Sequence, residues 1–300
     1  MRILLIGKNG QIGWELHREL AELGGIVAPS SDDLDLCKPD KVRHFVQQVK
    51  PDLIINAAAY TAVDKAEAEP DLAMAVNGVA PGILAEEAKE IGSAMIHYST
   101  DYVFDGEKTS GAYAEDDICN PQNIYGQTKL AGEQAIVKVG IPYLILRTSG
   151  IYGSRGKNFM RTILKLANEK KELRIVNDQI SSPTWCGAIA QATRQALLPF
   201  LNDPSGRLAE NINTVSGIYH LSCGGETSWY EFAKAILGYP EHTSTSAILI
   251  PIPSSEYPTP AKRPRYSVLS NKKIERVLKI EMPHWEEALK MCLESGSTIR

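Results

Sequence analysis

A glycine-rich turn placed directly after a short apolar run constrains this chain more than any other feature. Residues 2–6 (RILLI) are apolar after the first position, and Gly7-Lys8-Asn9-Gly10-Gln11-Ile12-Gly13 spaces three glycines three apart. Apolar residues then recur at helical spacing over residues 11–23. A turn this tight needs positions free of a Cβ, and it aims backbone N–H groups and the positive end of a helix dipole at one point. That arrangement suits a pyrophosphate, so Gly7, Gly10, Gln11, Ile12 and Gly13 are the first candidates for holding a dinucleotide. Because the turn closes the first strand of a series, it carries more weight than an isolated glycine motif.

The strand-then-helix order repeats. Short apolar runs at residues 2–6, 25–28, 52–56, 94–98 and 143–147 predict five strands, and residues 11–23, 40–49, 71–91 and 123–139 predict helices between them. Alternation of this kind predicts an α/β fold, a Rossmann-like doubly wound parallel sheet. After Arg147 the alternation fades, and Gly150, Gly153, Gly156, Pro183 and the run Asn202-Asp203-Pro204-Ser205-Gly206 punctuate the chain. Helices are expected at 158–168, 188–198, 229–237 and 284–292, and short strands at 174–177 and 218–221. The five prolines between residues 250 and 264 predict an extended surface run. The expected organisation is a dinucleotide-binding domain over 1–150, with about 185–220 returning to it, and a smaller C-terminal substrate-binding lobe from 151–184 and 221–300.

Composition narrows the partners. A net charge of -4 without a basic block argues against nucleic acid, and no apolar run approaches the ~20 residues of a membrane span. The start lacks a basic region followed by a long apolar stretch, and the five cysteines are scattered with no C-x-x-C, so a cytoplasmic protein is expected. The six histidines never take metal-ligand spacing, so no metal is expected.

Two further segments bear on a cofactor. An acidic residue near the end of the second strand would hold an adenosine ribose, and that neighbourhood reads Ser30-Ser31-Asp32-Asp33-Leu34-Asp35-Leu36, in which three carboxylates compete. Ser30 stands where a carboxylate would repel a 2′-phosphate, which leaves NADH and NADPH both open. The third strand ends in Asn56-Ala57-Ala58-Ala59-Tyr60-Thr61, whose small side chains let a ring or ribose approach the backbone.

Proton-transfer chemistry comes from Ser99-Thr100-Asp101-Tyr102 after the fourth strand and from Tyr125-Gly126-Gln127-Thr128-Lys129 at a helix start. Residues four apart project from one helix face, so Tyr125 and Lys129 can share a site. A neighbouring ammonium favours a phenolate and lowers a phenol pKa toward neutrality. Thr100 supplies a hydroxyl to hold a carbonyl oxygen under reduction.

With these residues in place, the chain resembles the extended short-chain dehydrogenase/reductase superfamily and, within it, the dTDP-4-dehydrorhamnose reductase family. The matching runs are 7–16 (GKNGQIGWEL), 56–69 (NAAAYTAVDKAEAE), 97–104 (HYSTDYVF), 125–133 (YGQTKLAGE), Arg147–Ser149 with Tyr152, Asn177–Gln179 with Pro183-Thr184, and 257–267 (YPTPAKRPRYS). The resemblance implies that NADPH or NADH delivers hydride to C4 of dTDP-4-dehydro-β-L-rhamnose, giving dTDP-L-rhamnose, the last step of dTDP-rhamnose biosynthesis. Tyr125 would protonate the alkoxide, Lys129 would tune it and hold the nicotinamide ribose, and Thr100 would orient the keto oxygen. Gly10, Gln11 and Ile12 would touch the pyrophosphate, Asp35 and Leu36 the adenosine side, and Ala57, Ala59, Tyr60 and Thr61 the nicotinamide half. Asp101 and Tyr102 would face the sugar, and Asn158 and Arg263 would offer donors to its diphosphate. A homodimer is a possible assembly.

Two positions depart from the family pattern. Gly150 stands where members carry a tryptophan, with Trp185 the candidate to replace that aromatic wall. Gly187 stands where a second magnesium-binding glutamate would accompany Glu15, which leaves metal-linked dimerisation unsupported. Rival readings within the superfamily are reductases or epimerases of other nucleotide-linked 4-keto-6-deoxy sugars and 4,6-dehydratases. A dehydratase needs an acidic pair after the threonine, and here Asp101 precedes Tyr102. A non-catalytic dinucleotide-binding regulatory subunit is the third alternative, against which Thr100, Tyr125 and Lys129 together argue.

Overall fold

The computed structural model describes residues 1–201, 208–239 and 247–296. Five of its strands, β1 (Arg2–Ile6), β2 (Gly25–Val27), β3 (Leu53–Asn56), β4 (Ala94–Thr100) and β5 (Tyr143–Thr148), form a parallel sheet with a sixth, Gly217–His220. The order across the sheet is Gly217–His220, β5, β4, β3, β1, β2. Strands buried on both faces read as unbroken apolar runs, and β4 is buried at every position.

Helices cover the two faces. One is packed by α1 (Gln11–Glu19) through Ile12 and Leu16, together with the long helix Cys186–Leu201. The other is packed by α2 (Pro39–Val49), whose buried Val42 and Val46 share a core with Leu84 and Ala88 of the helix Ala80–Ile91. The sheet is therefore doubly wound, as the strand–helix alternation predicts. The run 202–206 lies outside the described residues.

The structure departs from the helical expectation over 71–91. After the short helix α3 (Val63–Ala66), helix α4 (Pro70–Met74) widens into a π turn at Ala75–Val79 before α5 (Ala80–Ile91) begins. Pro81, in the first turn of α5, has no N–H to continue an i→i−4 ladder, so the backbone is re-registered there. The bulge brings Asn77 inward, buried beside α6 (Ile124–Val139). Gly132 of α6 lies against the Asn77 carbonyl, where an added Cβ would collide.

The extended proline run is only partly surface chain. Its beginning forms the strand Ile248–Ile252, paired in parallel with Glu172–Val176, and Ser254–Glu256 is a single 3-10 turn. Pro251 sits opposite Ile175 in that two-stranded sheet, an edge position where its missing N–H is tolerated. Next in order after β5 come Ile151–Tyr152 and helix α7 (Phe159–Glu169), which carry the chain away from the central sheet. The long helix and the Gly217–His220 strand bring it back against α1 and β5.

Candidate active site

At the carboxyl end of β1 the glycine turn is packed on the end of β3. Gly7 has a φ of +91°, and a Cβ added to it would lie 2.6 Å from the Ala58 nitrogen. Gly13 presses on the Gly7 carbonyl with no space for a Cβ, and the Gly10 N–H closes the turn on Gly7 at 2.9 Å. Gly10 caps α1 without any side-chain acceptor, which leaves first-turn N–H groups available to an anion. A cleft of about 250 Å³ opens beside the turn, lined by Gly7, Lys8, Ser30, Asp35, Leu36 and Ala59 among others. Ile12 and Gly13 are buried beneath it as packing residues. These features fit a dinucleotide lying over the turn.

Two of the three competing carboxylates, Asp33 and Asp35, have defined partners in the structure. Asp33 accepts from both the N–H and the hydroxyl of Ser30, at 3.0 and 2.7 Å, which holds its carboxyl below the usual range. Asp35 lines the cleft, accepts from the Cys37 N–H at 3.0 Å, and lies 3.7 Å from Lys38. Ser30 is thus already engaged by Asp33. Tyr60 is fixed through its backbone, its N–H donating to Asn77 Oδ1 at 2.8 Å and its carbonyl accepting from Asn77 Nδ2 at 3.0 Å. Asn77 was absent from the sequence candidates because only the π turn aims it there.

Tyr125 meets Thr100 for a local reason. Strand β4 ends at Thr100 and turns at once through Asp101–Val103, while Asn123 caps α6 by accepting from the Gly126 N–H at 2.8 Å. Gly126 then rests on the Tyr102 carbonyl, with no room for a Cβ. This contact brings the Tyr125 phenol to the Thr100 hydroxyl, with the Tyr102 ring edge-on at 5.8 Å. Gly126→Ala is expected to push α6 off this turn and lower kcat by about 10²-fold, as misplacements near 1 Å do. Steady-state kinetics beside a thermal melt checks it, because unchanged kcat in a folded variant would mean the contact does not set the geometry.

The expected pairing of the Lys129 ammonium with the Tyr125 phenol takes a different form. Burial pushes the Tyr125 phenol up, the Thr100 hydroxyl bond opposes that, and the neighbouring Asp101 charge adds to the rise. The Lys129 side chain, 1% exposed, donates from Nζ to the Tyr98 carbonyl at 2.6 Å and faces His97 Nε2 at 3.2 Å. Burial lowers Lys129 to about 8, with the Glu133 charge pulling the other way.

The four sugar-side candidates behave differently from one another. Asp101 is 3% exposed, and its carboxylate accepts from Ser149 at 2.8 Å and Thr100 at 3.0 Å, with Ser267 as a further partner. In place of facing the cleft, it anchors Thr100. Asn158 is a helix cap, accepting from the Arg161 N–H and donating to Gln11 Oε1, Gly153 O and Arg155 O. Its amide ties the 153–155 loop to the glycine turn. Arg263 reaches Asp64 at 2.9 Å and lies beside the Tyr102 phenol, while its buried Nε has no hydrogen-bond partner among the described residues. Tyr102 and Arg263 thus remain together beside Tyr125.

Trp185 does not replace the aromatic wall. It is buried, its ring lying over Gly187 so closely that any Cβ there would strike it. That packing also explains why no glutamate occupies position 187. Gly150 adopts a φ of +53°, which favours glycine over tryptophan at that point of the backbone. Glu15 is half-buried near Arg18 and Arg155, and burial raises its carboxyl.

Comparison with known proteins follows the same lines. The family profile of the RmlD substrate binding domain matches residues 1–297. A dTDP-4-dehydrorhamnose reductase of Burkholderia thailandensis is 45% identical over 298 residues, covering 98% of each chain. A crystal structure of a dTDP-4-dehydrorhamnose reductase from Clostridium acetobutylicum is 36% identical with a TM-score of 0.88, covering 98% of this chain and 99% of that one. The Bacillus anthracis enzyme of the same name, solved in complex with NADP, is 34% identical with a TM-score of 0.86 over the same shares.

Proposed function

The chain belongs to the RmlD substrate-binding-domain family of dTDP-4-dehydrorhamnose reductases, and from that premise we propose how its own residues carry out the reduction. The protein is an NAD(P)H-dependent oxidoreductase that reduces the C4 ketone of dTDP-4-dehydro-β-L-rhamnose to dTDP-L-rhamnose. When bound, the reduced nicotinamide supplies the hydride that C4 receives. Gly7, Gly10, Gln11, Ile12 and Gly13 present the turn on which the pyrophosphate rests, Asp35 and Leu36 border the adenosine side, and Ala57, Ala59, Tyr60 and Thr61 border the nicotinamide half.

Tyr125 donates its phenolic proton to the O4 oxyanion, and solvent restores that proton after product leaves. The Thr100 hydroxyl, whose one proton is donated to Asp101 in the free site, turns that proton to the same oxygen as charge develops on it. Lys129 holds the nicotinamide ribose. Tyr102 and Arg263 present a ring edge and guanidinium donors to the nucleotide-sugar. The single observation that carries this reading is the meeting of the buried Tyr125 phenol with the Thr100 hydroxyl at the end of β4. A phenol kept protonated by burial is an acid at neutral pH, the state that ketone reduction requires of its proton donor.

Residues 1–150 with about 185–220 are read as the cofactor domain, and 151–184 with 221–300 as the substrate lobe. A cytoplasmic enzyme with no nucleic-acid partner is part of the proposal, supported by the net charge of -4. Among the described residues no helix is long and apolar enough to cross a membrane. Homodimerisation is proposed as the assembly to check by sedimentation.

Oxidation of NADPH and of NADH, followed by absorbance with dTDP-4-dehydrorhamnose generated in place, tests the function, with the product sugar identified afterwards. Turnover to dTDP-L-rhamnose is expected. Cofactor binding without turnover would overturn the substrate assignment.

A further inference from the structure

Lys129 is buried beside a histidine whose hydrogen-bonding role is dictated from two residues further back. The Ala58 N–H donates to Asn56 Oδ1 at 3.2 Å, which orients that amide and aims its Nδ2 at His97 Nδ1, also at 3.2 Å. An amide nitrogen only donates, so Nδ1 of His97 accepts and the imidazole proton resides on Nε2. That Nε2 faces Lys129 Nζ at 3.2 Å. An ammonium there sets one N–H against another. A neutral amine accepts the imidazole proton and still donates to the Tyr98 carbonyl at 2.6 Å.

We propose that Asn56 and His97 are positioning residues that lower the proton affinity of Lys129, because the Nε2–H tautomer they enforce favours the neutral amine over the ammonium. The functional weight of this pair rests on Lys129 acting as the lysine of the proposed reaction. The other ionisable groups around the amine lie on α6 and β4. On α6, Tyr125 lies one turn before it, and Glu133 lies one turn after it with its carboxylate held by Arg147 of β5 and by Ser99 of β4. On β4, the Tyr98 hydroxyl is paired with Thr193. His97 is itself held neutral by burial and by the Lys129 charge. Burial of Lys129 acts in the same direction as the histidine, and Glu133 opposes both.

NMR on the full-length enzyme without added dinucleotide tests this directly. Long-range nitrogen–proton spectra of the imidazoles report the His97 tautomer, and a pH titration of side-chain-labelled lysine reports the Lys129 midpoint. The expected results are a proton on Nε2, a Lys129 midpoint well below those of the exposed lysines, and a rise in it of about one unit or more in His97→Phe. An Nδ1–H tautomer, a midpoint among the exposed lysines, or a midpoint that falls or stays put in His97→Phe overturns the proposal. Should His97→Phe fail to fold, Asn56→Asp serves, since its carboxylate accepts from Nδ1–H and moves the proton off Nε2. The midpoint is then expected to rise, and an unshifted one overturns the proposal. These readouts need no turnover, so an enzyme that reduces its ketone yet fails them sinks the inference while leaving the function intact.

Discussion

Tyr125→Phe is expected to lower kcat by about 10²–10⁴-fold, the usual contribution of a positioned general acid, while NADPH binding changes little. The substitution removes one oxygen from a buried ring and leaves the Tyr102 edge contact available, so the fold has little reason to respond. What is lost is the proton and the phenol oxygen beside the Thr100 hydroxyl. Because the proton moves only as the alkoxide forms, kcat and kcat/KM should fall together, with substrate binding largely retained. Stopped-flow binding of NADPH beside steady-state turnover separates the two effects. Asp101 is the competing acid, since its carboxyl is raised by burial and touches Thr100 through a 3.0 Å hydrogen bond. Turnover above about a tenth of the original in Tyr125→Phe would transfer the role to Asp101, given that loss of a true general acid exceeds that factor.

The features legible in the sequence were those whose cause is local. Gly7 and Gly13 show themselves because a tight turn against neighbouring backbone admits no Cβ, and that requirement is written in consecutive residues. Tyr125 and Lys129 show themselves through helical spacing. Pairings made only by the fold stayed hidden, since Asn56 and His97 meet across 41 residues and Arg263 and Asp64 across 199. That Asn158 caps a helix stayed hidden because an amide beside a glycine-rich loop looks the same whether it donates to a ligand or caps a helix. The π turn escaped notice for a related reason. The apolar spacing runs through Ala75–Val79 unchanged, and only Pro81 hints that the ladder must shift.

Behind the proton-transfer residues, a buried ion pair is expected to dominate the response to mutation. Arg147 of β5 and Glu133 of α6 are almost fully buried and meet at 2.7 Å, with a second guanidinium contact at 3.0 Å. Ser99 of β4 donates to the same carboxylate, and Arg147 also reaches the Cys119 sulfur at 3.3 Å. Arg147→Leu leaves the Glu133 charge in the interior without its cation, a change that costs about 3–5 kcal/mol. In a chain of this size that corresponds to a fall in Tm on the order of 10 °C. Removing both charges in Glu133→Leu/Arg147→Leu should recover much of that loss, because the penalty belongs to the orphaned charge more than to the missing attraction. Turnover should not recover with it. The pair fastens α6, which carries Tyr125 and Lys129, to the two strands that end in Thr100 and Thr148. Ser99 precedes Thr100 directly, so slackening this tie shifts the phenol relative to the hydroxyl it must meet. Urea unfolding and kcat measured on both variants resolve the question. A double variant that regained stability and full activity together would show that the ion pair serves the fold alone.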